Sequence, residues 1–260
     1  MAITLRSQRE IELMRRAGAV VADVLLKLKE IAEPGVTTAQ LDSVASQMAA
    51  DAGVEVLFKG VRTPVSQIPF PGAICASINE QVVHGIPSAK TRLKDGDILS
   101  IDFGVRFDGY CADAAVTIAI GDVSEDKRRL MDVTKRVLDT AIARSAPAVR
   151  WSQVAAEMQQ CAESAGFSVV KDFVGHGIGR EMHEEPRVPN FVSNELLADD
   201  ILLAEGMVLA VEPMINAGTA AVRTLKNGWT VVTRDGKCSA HFEHTIAIVE
   251  SGCEVLTKKT

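Results

Sequence analysis

Residues 93–102 read L-K-D-G-D-I-L-S-I-D and residues 203–212 read L-A-E-G-M-V-L-A-V-E. One pattern, L-x-[DE]-G-x-[IV]-L-x-[IV]-[DE], is written twice at an offset of 110 and closes each time on an acid, Asp102 and Glu212. A second match lies upstream at nearly the same offset. Setting 32–54 against 145–167 pairs Pro34 with Pro147, Val36 with Val149, Gln40 with Gln153, Ala49 with Ala162, Ala52 with Ala165 and Gly53 with Gly166. Self-similarity of this kind points to a duplicated unit. The elements around it agree: apolar residues at helical spacing predict helices over 7–33, from an N-cap at Thr38 to about Asp51, over 124–143 and over 151–164. β-rich runs follow at 98–105 and 110–120, and from Leu203 onward. The order helix-helix-strands, twice, predicts an α+β fold: one domain over 1–260 built of two pseudo-symmetric halves, about 7–122 and 123–257. They would share a curved antiparallel sheet with helices on its outer face.

The acids closing the repeat carry the chemistry. Asp108-Gly109 between β-rich runs is a two-residue hairpin signal, and that turn sets Gly104 opposite Asp113. Asp102 is then the diagonal neighbour of Asp113 on the same sheet face, roughly 7–8 Å away at Cβ. Both sit in apolar runs, where two like charges raise each other's pKa unless a cation intervenes. In the second half Glu212 is the aligned acid. A further hairpin at 234–237 is expected to return Glu243 beside it, bringing four carboxylates to a common centre. His176 lies in G-H-G-I-G-R, where flanking glycines let backbone crowd an imidazole, while no Lys-Ser/Thr follows to make a phosphate cradle. Oxygen donors with an imidazole suit Mn, Fe, Co or Zn better than a thiolate site would. His84 sits in a loop before the first aligned strand.

Composition narrows the function. The chain has 260 residues, 47% apolar, so there is core enough for this duplicated unit. A net charge of −6 without a basic stripe argues against nucleic-acid and membrane partners, and 4% aromatics supply few stacking platforms. Five widely spaced cysteines without a C-x-x-C, no apolar leader and no long apolar run predict a reduced, cytoplasmic protein.

At this point five motifs, I-D-F-G-x(6)-C-A-D, G-H-G-I-G-R-x-M-H-E-E-P, E-P-M-I-N, S-A-H-F-E-H-T and I-C-x-S-I-N-x-x-x-x-H-G-I-P, closely resemble the type I methionine aminopeptidases, over about residues 7–257. The resemblance implies a pita-bread fold and removal of the initiator methionine from nascent chains, a setting close to the ribosome, when the second residue is small. It implies Asp102, Asp113, His176, Glu212 and Glu243 as ligands of two divalent ions (Co, Mn, Fe or Zn), with Asp113 and Glu243 bridging. His84, His183 and Glu212 become the catalytic residues, and Phe70, Cys75, Met182 and Trp229, with the two histidines, the substrate contacts. Departures are Gln67 and Phe70 where tyrosines are frequent, an insertion at 61–68, and His241 in place of a glutamine. A proline-specific relative commonly carries a long N-terminal domain, whereas 101 residues precede Asp102; a type II enzyme would carry a helical insert between His183 and Glu212; a binding-only relative would have lost ligands. A monomer is expected, and Met1-Ala2 makes the chain a candidate substrate of its own activity.

Overall fold

The computed structural model describes residues 3–62, 66 and 68–259; Met1-Ala2 and Gln67, singled out above, lie outside them. In chain order the elements are α1 (Gln8–Ile31), α2 (Thr38–Asp51), β1 (Glu55–Val56), β2 (Cys75–Ile78), β3 (Gln81–Val83), β4 (Ile98–Phe107) and β5 (Tyr110–Ala119). Then come α3 (Glu125–Arg144), α4 (Trp151–Ser164), β6 (Ser168–Val169), β7 (Gly175–Gly177), β8 (Glu184–Val188), α5 (Asn194–Ala198) and β9 (Val208–Val211). The last are β10 (Met214–Asn216), β11 (Val222–Thr224), β12 (Val231–Thr233), β13 (Ser239–His241), β14 (Glu243–Val249) and β15 (Gly252–Val255).

Local chemistry explains the helix ends. Ser7 and Glu10 cap α1 reciprocally, and Thr37 with Gln40 does the same for α2. The cap of α2 is therefore Thr37, one residue before the expected Thr38, because Gln40 at the third helical position reaches back to the Thr37 amide at 2.8 Å. Its repeat counterpart Gln153 accepts from the Arg150 amide at the start of α4.

A nine-stranded sheet runs β1-β4-β5-β14-β9-β7-β8, with β2 added on β4 and β15 on β14. Its pairings are antiparallel. The β4–β5 hairpin turns at Asp108-Gly109 and pairs Gly104 with Asp113, as expected. Alternation then sorts the faces. Leu99, Ile101, Phe103 and Val105 pack under α1 and α2 in one core, and Leu209, Val211, Ile246 and Ile248 under α3 and α4 in another. The opposite face is left for function.

One expectation is corrected. The turn at 234–237 exists, closed by Thr233 Oγ1 donating to the Lys237 carbonyl, but it joins no hairpin. Strand β12 belongs to a sheet β11-β12-β3 and β13 to a sheet β13-β10-β6, so the chain switches sheets between them. Glu243 reaches Glu212 because β14 pairs with β9 across the 31-residue stretch 212–242.

Candidate metal centre

The register places the acids. Asp102 pairs with Ala115 and Glu243 also with Ala115, while Asp113 lies two residues along from it, so all three share the inner face. His244 opposite Val211 sets Glu243 beside Glu212, and His176 opposite Ala210 joins the same face. The short pairing of His176 depends on close backbone, since a Cβ at Gly177 would overlap the Glu185 carbonyl.

Donor atoms of Asp113, His176 and Glu243, all buried, lie within 4.8 Å of one another. Glu212 Oε1 is 3.7 Å from His176 Nε2. Asp102 Oδ1, Asp113 Oδ1 and Glu243 Oε1 are buried without a hydrogen-bond partner. Orphaned carboxylate oxygens converging on one point are the condition a cation satisfies, and the oxygen-plus-imidazole set fits a hard or borderline divalent ion. Loss of water raises the pKa of Asp102, Asp113, Glu212 and Glu243; mutual charge adds to this for Asp102, Glu212 and Glu243. Burial, with a smaller push from His183, takes His176 down to about 4. The pocket thus disfavours both carboxylate and imidazolium charge, and a cation entering it would favour the ionised acids while keeping the imidazole neutral.

One cleft of about 1240 Å³ collects every expected site residue: Asp102, Asp113, His176, Glu212 and Glu243 at its floor, His84 and His183 on its walls, Phe70, Cys75, Met182 and Trp229 beside them. His183 stacks edge-on to His176 with ring centroids 4.4 Å apart. His84 holds a left-handed φ of 59° after β3 and its ring meets Trp229 and Phe173 edge-on. Phe70 and Trp229 meet at 5.2 Å in an apolar cluster with Cys75 and Phe58, against which Met182 packs. Cys75 is the cross-strand partner of Asp102, so the apolar pocket opens next to the acids.

Sequence reasoning missed Phe58 and Phe173. The run 54–58 that carries Phe58 alternates too briefly to be read as a strand, and Phe173 precedes the glycine motif without periodicity. His241, noted as a departure, is buried in β13 with Nε2 3.7 Å from Glu212 and 3.9 Å from Glu243, its own Nε2 without a hydrogen bond. All five cysteines are free, and among the described residues no helix is long and apolar enough to cross a membrane.

A curled antiparallel sheet whose inner face carries four acids and a histidine beside an apolar pocket defines a metallohydrolase class. The model of metallopeptidase family M24 matches residues 12–250. A methionine aminopeptidase from Clostridium perfringens is 46% identical over 255 residues, 98% of each chain. The crystal structure of a methionine aminopeptidase from Thermotoga maritima superposes with a TM-score of 0.93 at 40% identity, covering 99% of this chain and all of that one. A prolidase from Pyrococcus horikoshii shares the fold, with a TM-score of 0.75 at 20% identity over 98% of this chain and 64% of that one. The chain belongs to the methionine aminopeptidases of family M24, metal-dependent exopeptidases of the pita-bread fold.

Proposed function

We propose that the cleft removes the initiator methionine from cytoplasmic nascent chains whose second residue is small, using two divalent ions held by Asp102, Asp113, His176, Glu212 and Glu243. By the family resemblance, Asp113 and Glu243 would be the ligands common to both ions, and both belong to the buried Asp113-His176-Glu243 group. The observation that carries the reading is the adjacency of two unlike surfaces: carboxylate oxygens without partners and, one strand away through the Cys75–Asp102 pair, an apolar pocket of methionine character. Divalent ions bound there supply acidified water and a polarised carbonyl at neutral pH. Co, Mn, Fe and Zn all match the donors.

The remaining steps belong to the chain's own side chains. Phe70, Cys75, Met182 and Trp229 enclose the thioether. Trp229 is fixed for this by its indole N–H donating to the Ile68 carbonyl at 2.7 Å. His84 contacts the scissile amide, Glu212 carries the proton from the attacking water to the leaving amine, and His183 stabilises the carbonyl oxygen as it becomes tetrahedral. The chain acts as one catalytic domain, and its duplication is supported by two isolated bridges, Thr37 to Arg92 and Arg150 to Leu202, at the repeat offsets of 113 and 110. It acts as a monomer near the ribosome.

The test is metal stripping followed by Mn or Co add-back, with Met-Ala-Ser and Ala-Pro-Ser as substrates. Metal-dependent cleavage of the first alone is expected; cleavage of the second alone overturns the assignment in favour of a proline-specific peptidase.

A further inference from the structure

Arg6 lies outside the acid cluster, in the strap 3–7 before α1, yet its side chain is 6% exposed. Arginine is almost never buried unless paired, and this one runs beneath the connection 178–183 that leads from His176 in β7 to His183 at the edge of β8. Its guanidinium presses on Gly179, where a Cβ would overlap it. It also pairs with Glu184. The other Glu184 oxygen accepts from the amides of Arg180 and Glu181 at 2.9 and 3.1 Å, which folds the turn just before His183. The strap itself is tied down by the Arg6 amide donating to the Gly206 carbonyl at 2.7 Å.

From this chain of contacts we infer that Arg6 is a positioning residue for His183: the N-terminal strap clamps Glu184, Glu184 folds the turn 180–184, and the turn holds the imidazole against the cleft. Backbone contacts secure the first half of the segment, the Ile178 amide donating to the Val208 carbonyl and the Cys111 amide to the Gly179 carbonyl. Tyr110 and Cys111 also reach the turn, at Arg180, and Arg106 reaches it at Glu181, with Nη2 donating to Oε2 at 3.3 Å, but among the described residues the Arg6–Glu184 pair is the ion pair from outside the segment made at the residue next to His183. The pair is charge-assisted and engages one Glu184 oxygen, which leaves the other to hold the turn amides. The inference rests on the role given above to His183.

The test is steady-state kinetics on the metal-loaded full chain for Arg6→Ala, Arg6→Lys, Glu184→Gln, His183→Ala and the Arg6→Ala/His183→Ala double variant, with amide hydrogen exchange over 178–184. Arg6→Ala and Glu184→Gln each lower kcat roughly tenfold to a hundredfold, the size of a small misplacement of a reacting group, and KM changes much less. Arg6→Lys recovers most of the loss, exchange speeds up in 180–184, and the double variant is no slower than His183→Ala. Losses that multiply in the double variant, or unaltered exchange in 180–184, overturn the inference while leaving His183 in its role. A wild-type kcat in His183→Ala overturns that role, and the inference with it.

Discussion

The two acid-bearing strand pairs reach one geometry by different routes. In the first half β4 and β5 form ten register pairs around a two-residue turn, so Asp102 and Asp113 are placed by local structure. In the second, β9 and β14 form four register pairs, and 31 residues separate Val211 from Glu243. That excursion builds β10 to β13, which bring His241 to the acids and, through the sheet β11-β12-β3, set Trp229 beside His84. The lesson is a division of labour: the acids are arranged symmetrically, whereas the apolar pocket is assembled unequally, with Phe58, Phe70 and Cys75 from the first half joined by Trp229 from the excursion and Met182.

The largest test of that contrast compares equivalent acids. Asp102 and Glu212 correspond at the repeat offset, but Glu212 adjoins His176 and His241 while Asp102 adjoins Asp113 and Cys75. Glu212→Gln is expected to lower kcat on the order of a thousandfold or more, because a ligand and a proton carrier are lost together. Asp102→Asn loses activity chiefly in proportion to lost metal, so saturating metal restores a larger share of it. Titration calorimetry beside kinetics separates the two, and equal residual kcat at saturating metal would erase the asymmetry.

In stability the halves should instead behave alike. In metal-free protein the raised pKa values of Asp102, Asp113, Glu212 and Glu243 mean that the folded state keeps protons the unfolded chain has released, so stability falls as pH rises. His84 and His176, taken down to about 4 by burial, act oppositely: unfolding binds protons below pH 6.5, and their contribution is complete above it. The fall in stability above about pH 6.5, where the histidines no longer contribute, therefore belongs to the acids, Asp113 with its pKa raised to about 7 among them. Metal-free Tm should decline above that pH and metal-loaded Tm should not, and neutralising one acid in either half should flatten the decline. A Tm flat above that pH in metal-free protein would mean the acids titrate normally.

The first half was legible in the sequence because its contacts are local. Asp108-Gly109 between the β-rich runs 98–105 and 110–120 set the register of Asp102 against Asp113, and the repeat aligned Asp102 with Glu212. Gln40 and Gln153, paired in the repeat, both accept the amide that precedes their helix, a cap that identity alone hinted at. The excursion was illegible for the converse reason. Strands of three residues carry no usable period, and their partners lie far along the chain, as β3 does for β12 and β6 for β10. The expected hairpin at 234–237 failed on that point, since turn chemistry says that the chain reverses without saying which sheet receives it. Arg6 gave no signal at all: a lone arginine before a helix reads as solvated, and only its burial under Gly179 shows otherwise.

The smallest expected effect concerns the turns themselves. Asp108 and Gly109 have φ of 47° and 80°, the pair of left-handed residues that a tight hairpin turn requires. Gly109→Ala should therefore cost about 1 kcal/mol of stability with kcat unchanged. In the second half Asp235 holds its turn by accepting from the Thr219 amide at 2.8 Å and the Lys237 amide at 3.1 Å, and Asp235→Ala should cost about the same. The equilibrium losses are alike, but the kinetics should separate them. Local contacts form before distant ones because less loop entropy opposes them, so the β4–β5 hairpin is expected in the folding transition state and the sheet-switching turn is not. Gly109→Ala then slows refolding, and Asp235→Ala instead speeds unfolding. If both act on the unfolding rate, the local half holds no lead in folding, and its legibility in sequence reflects geometry alone.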